Sequence, residues 1–154
     1  MNTANRTLHL IDLENQLGTG CIKADEITKF MALYRDVTHM QETDHVIIAV
    51  SSSAGLLELA MAGTTPYRYL HKSGKDGADH ELQNVMLLEN IAERFDRIVL
   101  ASGDGGFVDA VLALGQEGAY VTVVGRTGHI SKRLQLVARS MIELPIYDIE
   151  RLAA

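Results

Sequence analysis

Short apolar runs of strand length recur along this chain, each followed by a segment whose apolar residues return at helical spacing. That alternation restricts a chain to a mainly parallel sheet with helices on both faces, a three-layer α/β sandwich. Strands are expected at 7–12, 45–51, 67–71, 97–101 and 120–125, with a short one at 141–144. Helices are expected at 25–37, 55–62, 79–95, 106–116 and 131–139. Segment 13–24, with Gly18 and Gly20, shows no clear period and reads as a loop. Crossovers between parallel strands are right-handed, which leaves few topologies. If the first three strands wind outward in one direction and the later ones in the other, the sheet order is 3-2-1-4-5. Strands one and four are then central neighbours. The length of 154 residues fits a single domain over 1–154, with a core from about 7 to 144.

Three aspartates fall where the local pattern changes. Asp12 follows the apolar run Leu8 to Ile11, and Asp104 follows Ile98 to Ala101, so both sit at the carboxyl ends of expected strands. Ligands of open α/β sheets bind beyond those ends, where the strand order reverses. Asp79 opens a helical pattern with an apolar stripe of Leu82, Val85, Met86, Ile91, Ala92 and Phe95. Asp76 is an alternative N-cap for that helix, which would leave Asp79 free in the first turn. Carboxylates brought together repel unless a proton or a cation relieves them. Mg²⁺ meets that need with carboxylate, water and phosphate oxygens, and the chemistry it points to is phosphoryl transfer.

Composition narrows the classes further. With 47% hydrophobic and 22% charged residues the chain is ordinary for a globular protein, and disorder is not indicated. The segment MNTANRTLHLI lacks the apolar stretch of a secretion signal, and no apolar run is long enough to span a bilayer, so a cytoplasmic protein without membrane contact is expected. A single cysteine, Cys21, cannot form an internal disulfide and has no CxxC or Cys/His partner arrangement, so no structural zinc site is expected. The net charge of −6 argues against tight non-specific nucleic-acid binding. Its distribution argues the other way. Residues 119–142 contain no Asp or Glu but carry Arg126, His129, Lys132, Arg133 and Arg139, and Lys72 and Lys75 precede Asp79. An acidic centre flanked by basic segments suits a polyanion. The turn SGDGGF around Asp104 matches neither the Walker nor the dinucleotide fingerprint, and no G-x-S-x-G elbow surrounds Ser102.

The segments LIDLEN, KDGADHEL and LASGDGGFVDAV, in this order and on these elements, resemble the NYN domains of the PIN-like nuclease superfamily. The likeness runs from about Thr7 to Leu144 and includes GAYVTVVGR and SKRLQLVARSMIEL. It implies a Rossmann-like sheet, an acidic Mg²⁺ or Mn²⁺ site at its carboxyl edge, and cleavage of RNA. Carried onto this chain, Asp12 is the first-strand metal ligand, with Asn15 beside it. Asp79 opens the central helix, and Asp104, with Ser102 near it, follows strand four. The chain departs from the family pattern Ser-Gly-Asp-x-Asp-Phe, because Gly106 stands where the second aspartate is usual. That loss weakens a second metal position or removes a water-orienting group. Asp109, about one turn further on, is a candidate replacement.

On this reading Asp12, Asp79 and Asp104 hold the metal directly or through water, and Asn15 or Ser102 orients water or phosphate. Lys75, Arg126 and Lys132 contact flanking phosphates. There is no tryptophan and there are few phenylalanines, so no base-stacking platform is expected. Two other readings stand beside the ribonuclease. One is a catalytically reduced RNA-binding module, motivated by Gly106; the other is a small phosphatase or nucleotide-binding enzyme, against which the first strand lacks a D-x-D motif. Methionine- and leucine-bearing helices make a homodimer a further expectation.

Overall fold

A computed structural model describes residues 6–64 and 66–145. Six strands form one parallel sheet in the order β3-β2-β1-β4-β5-β6. They are β1 (Thr7–Asp12), β2 (His45–Val50), β3 (Arg68–His71), β4 (Arg97–Ala101), β5 (Tyr120–Arg126) and β6 (Ser140–Leu144). The expected order 3-2-1-4-5 holds, and β6 extends it beside β5. β1, β2, β4 and β5 are buried on both faces, which is why they read as continuous apolar runs rather than alternating ones.

The two faces are covered by different parts of the chain. On one face α2 (Ala24–Thr38) and α3 (Ser53–Met61) set Ile27, Phe30, Met31, Tyr34 and Leu59 against Ile11, Ile48 and Val124. The other face carries α4 (Gly77–Leu88), α5 (Ile91–Arg94), α6 (Val108–Gln116) and α7 (Lys132–Val137). Their Leu82, Val85, Ile91, Val111 and Leu134 pack on Leu8, Leu10, Ile98, Leu100 and Val123. The chain changes faces between β3 and β4, and the strand order reverses between β1 and β4. A crevice beyond the carboxyl ends of those two strands follows from that reversal.

Two expectations are corrected. Segment 13–24 is not all loop: α1 (Leu13–Leu17) grows directly from β1 and closes at Gly18, whose N–H donates to the Glu14 carbonyl at 2.8 Å. The expected helix at 79–95 is two helices, because Asn90 between them adopts a left-handed conformation with φ 53°. Its apolar stripe nevertheless continues across the break, since Leu82, Val85, Met86, Ile91 and Phe95 are all buried in one cluster. A 3-10 turn, Gly105–Phe107, also precedes α6.

Besides Asp12, β1 carries one buried polar group, His9. His9 is 1% exposed, and its Nε2 lies 2.9 Å from Asp44 Oδ2 while its Nδ1 lies 2.7 Å from the Tyr34 hydroxyl. An ionised carboxylate only accepts, so Nε2 carries the proton and Nδ1 accepts from Tyr34. Burial holds the His9 pKa below its ordinary value, against the opposing pull of Asp44. This network sits towards the amino end of β1, on the far side from Asp79 and Asp104.

Candidate functional site

β1 and β4 run in register, with Ile11 opposite Ala101, so the residues that leave both strands emerge side by side. Asp12 is 4% exposed, and the Ser102 hydroxyl donates to its Oδ2 at 3.1 Å. The Asp104 amide donates to Ser102 Oγ at 3.2 Å. Asp104 caps the 3-10 turn, with the Gly106 amide donating to its Oδ1 at 2.9 Å. Asn15, on α1, accepts at Oδ1 from the Gly103 amide at 3.0 Å. This lattice of short bonds ties the carboxyl end of β1 to the turn after β4.

Asp79 enters from the first turn of α4, 9% exposed and within hydrogen-bonding reach of both Asp12 and Asp104. Burial, followed by those two carboxylates, pushes its pKa up to about 9. The same crowding acts unequally on the partners. Burial raises Asp12 despite hydrogen bonds from Asp79 and Ser102, whereas Asp104 is lowered by Asp79 and by the Gly106 amide. With no cation present, the shared proton therefore rests on Asp79. Among the described residues no N–H group and no hydroxyl donates to Asp79, although Asp12 and Asp104 each have such a donor. Hard oxygen ligands gathered in this way, with a buried member unserved by any hydroxyl or amide, fit a divalent cation.

A fourth carboxylate belongs to the group. One oxygen from each of Asp76, Asp79 and Asp104 lies within 4.8 Å of the other two. The sequence offered Asp76 as the helix N-cap, but its side chain makes no capping bond. Glu14 also lines the crevice; its Oε1 accepts from the Ser51 amide at 2.7 Å, which ties α1 to the end of β2. The crevice that holds these groups also receives Arg126 from the end of β5, whose Nε donates to the Asn15 carbonyl at 3.2 Å. Lys75, adjacent to Asp76, and Lys132, at the start of α7, are both exposed. Asp109 does not join the cluster. Val108, Ala110 and Val111 turn the buried face of α6 to the sheet, and Asp109 lies exposed between them.

A cavity of similar size, about 370 Å³, opens at the opposite edge of the sheet, over Leu8, Val46 and Phe95. Its Arg68 and Glu89 satisfy each other through two bonds, at 2.7 and 2.9 Å, and among the described residues no group of converging carboxylates faces it. The converging carboxylates lie at the carboxyl edge. Exposed apolar side chains such as Leu57, Met61, Leu88 and Leu136 are spread over α3, α4 and α7 on both faces of the sheet, and among the described residues no one face is marked out for a second copy. No helix among the described residues is long and apolar enough to cross a membrane.

A parallel sheet with buried aspartates converging at its strand-order reversal defines an acidic-site protein of the Rossmann-like class. The chain belongs to the NYN domain family, which it matches over residues 6–145, and with that to the PIN-like nuclease superfamily. Its fold resembles the crystal structure of a Vibrio parahaemolyticus protein of unknown function, with a TM-score of 0.65 and 18% identity over 94% of this chain and 96% of that one. None of the curated proteins matches the chain significantly.

Proposed function

We propose that the protein is a Mg²⁺- or Mn²⁺-dependent endoribonuclease that hydrolyses RNA phosphodiester bonds at the crevice between β1 and β4. The observation that carries this reading is the convergence of Asp12, Asp79 and Asp104, with the Asp79 pKa pushed up to about 9 by burial and by its two neighbours. Such a group needs a cation to be fully ionised near neutral pH. A divalent ion bound there supplies charge neutralisation at the scissile phosphate and acidifies the attacking water.

The chain's own groups divide the remaining work. Ser102 fixes the rotamer of Asp12 through its hydroxyl, and the Gly106 amide fixes that of Asp104. Asn15 spends its carbonyl oxygen on the Gly103 amide, which leaves its NH₂ to orient water or a phosphate oxygen. Arg126, anchored through Nε to the main chain of α1, keeps both terminal NH₂ groups for a neighbouring phosphate. Lys75 and Lys132, both exposed though neither lines the crevice, are the candidates to hold flanking phosphates without reading sequence.

The second reading, an RNA-binding module with reduced catalysis, is favoured by Gly106, which brings no carboxylate to the turn. Cleavage of end-labelled RNA in Mn²⁺ by the wild type and by Asp104→Asn separates the two. Metal-dependent cleavage that disappears in the variant is expected. RNA bound but cut by neither protein would leave the binding module as the surviving reading.

A further inference from the structure

The cavity at the amino edge of the sheet is of ligand size, about 370 Å³, and its lining combines an apolar floor with a charged rim. Leu8, Val46, Ile91 and Phe95 supply the floor. Most of the rim charges are already matched. Arg68 and Glu89 hold each other, and Asp44 accepts from His9 and from the Gln41 amide. Two charges remain. Among the described residues the exposed Glu42 accepts no hydrogen bond, and Arg94 forms no ion pair, its Nη1 donating only to the Glu89 carbonyl at 3.3 Å. Glu89 feels Arg94 as well, but both of its carboxylate oxygens are taken by Arg68.

A second observation concerns the ring at the floor. The guanidinium carbons of Arg6 and Arg94 lie 5.1 and 5.4 Å from the Phe95 ring centroid, and His45 packs edge-on to the same ring at 5.1 Å. Two guanidinium ions gathered on one ring repel each other, and among the described residues no carboxylate is bonded to either. An anion relieves that repulsion. We propose that the cavity binds a nucleoside monophosphate, with the base on the apolar floor, the phosphate at Arg94, and an N–H edge of the base at Glu42. A guanidinium meets a phosphate through two parallel bonds. Guanine suits Glu42, because its ring N–H and its amino group stand side by side and a free carboxylate accepts from both. This site lies at the opposite ends of the strands from Asp12 and Asp104 and needs neither a metal nor RNA cleavage.

Titration of the full chain with guanosine monophosphate in EDTA, followed by amide NMR, tests the proposal without any contribution from a metal. Saturable binding with Kd below about 1 mM is expected, with shifts at Val46, Ile91 and Phe95. Arg94→Gln keeps the aliphatic stem beside Phe95 and should weaken binding about tenfold. Inosine monophosphate, which lacks the amino group, should bind the wild type about fivefold less tightly than guanosine monophosphate, and Glu42→Gln should abolish that difference. Arg94 and Glu42 are both exposed, so thermal unfolding of the two variants should match the wild type. Absence of saturation up to about 10 mM nucleotide would overturn the proposal. Affinity unchanged by Arg94→Gln would do the same, as would shifts confined to Asn15, Gly18 and Arg126 in the carboxyl-edge crevice.

Discussion

Replacing Asp79 with asparagine should make the metal-free protein more stable while removing its response to metal. In the folded state the Asp79 pKa stands at about 9, raised from 3.8 first by burial and then by Asp12 and Asp104. The native state thus keeps a proton that the unfolded chain releases above about pH 4. Stability is highest below that point and declines as the pH rises towards 9, because the native state binds more protons throughout the interval. At about 1.36 kcal/mol per unit the shift sets a ceiling of roughly 7 kcal/mol. Solvent reaches the crevice from one side and screens the charges, which brings the usable figure down to about 2 kcal/mol. Asparagine cannot ionise, and its NH₂ can donate to Asp12 and Asp104 as the protonated carboxyl does. In EDTA at pH 8, Asp79→Asn should therefore unfold about 4–8 °C above the wild type, with the two converging at pH 5. Mn²⁺ should then raise the wild-type midpoint at pH 8 and leave the variant nearly unmoved. Thermal unfolding followed by circular dichroism, across pH 5 to 8 with and without Mn²⁺, reads all of these terms. Parallel pH profiles for the two proteins in EDTA would refute the reasoning, because Asp79 would then not carry the burden assigned to it.

Two further outcomes concern other parts of the molecule. Arg126→Ala should weaken RNA binding similarly for all sequences and lower the slope of log K against log salt by about one, as loss of one phosphate contact requires; an unchanged slope in anisotropy titrations would take Arg126 off the RNA path. Tyr34→Phe should cost about 1–3 kcal/mol in urea unfolding at pH 7.5, because His9 Nδ1 is left buried without its donor. For His9 itself the folded pKa is lowered, so its contribution is present above about pH 6.5 and is lost as the pH falls through the folded value.

The fold was legible because its signals are long and redundant. Leu8 to Ile11, Ile98 to Ala101 and Val121 to Val124 are buried on both faces, and a run of that kind followed by a helical period admits few arrangements. What escaped was short or was set by backbone angle. α1 has five residues, too few to display a period. The break at Asn90 is hidden because Leu82, Val85, Met86, Ile91 and Phe95 keep one apolar stripe on both sides of it. The same distinction divides the site. Asp12, Asp79 and Asp104 are marked by their positions at element ends, and all three meet. Asp109 was placed by counting one helical turn from the glycine-rich segment, but the intervening 3-10 turn changes the phase and α6 presents it to solvent. Asp76 looked like a cap because sequence spacing cannot report that its φ is positive.

Gathering carboxylates in one crevice sets like charges together, and the main chain on either side of it holds them there. The turns on the two sides of the crevice meet that demand in the same way. At Gly77, which follows Asp76, a Cβ would lie 1.9 Å from the Lys72 carbonyl oxygen. At Gly103, which precedes Asp104, it would lie 2.0 Å from the His129 carbonyl oxygen. Each glycine lets one stretch of backbone press directly on another, and each of these contacts adjoins a carboxylate of the cluster. A side chain at either position would have to push two main-chain segments apart and so displace the carboxylates that adjoin them. The aspartates are therefore held together by backbone packing. A proton held on Asp79, or a cation as proposed, offsets their mutual repulsion.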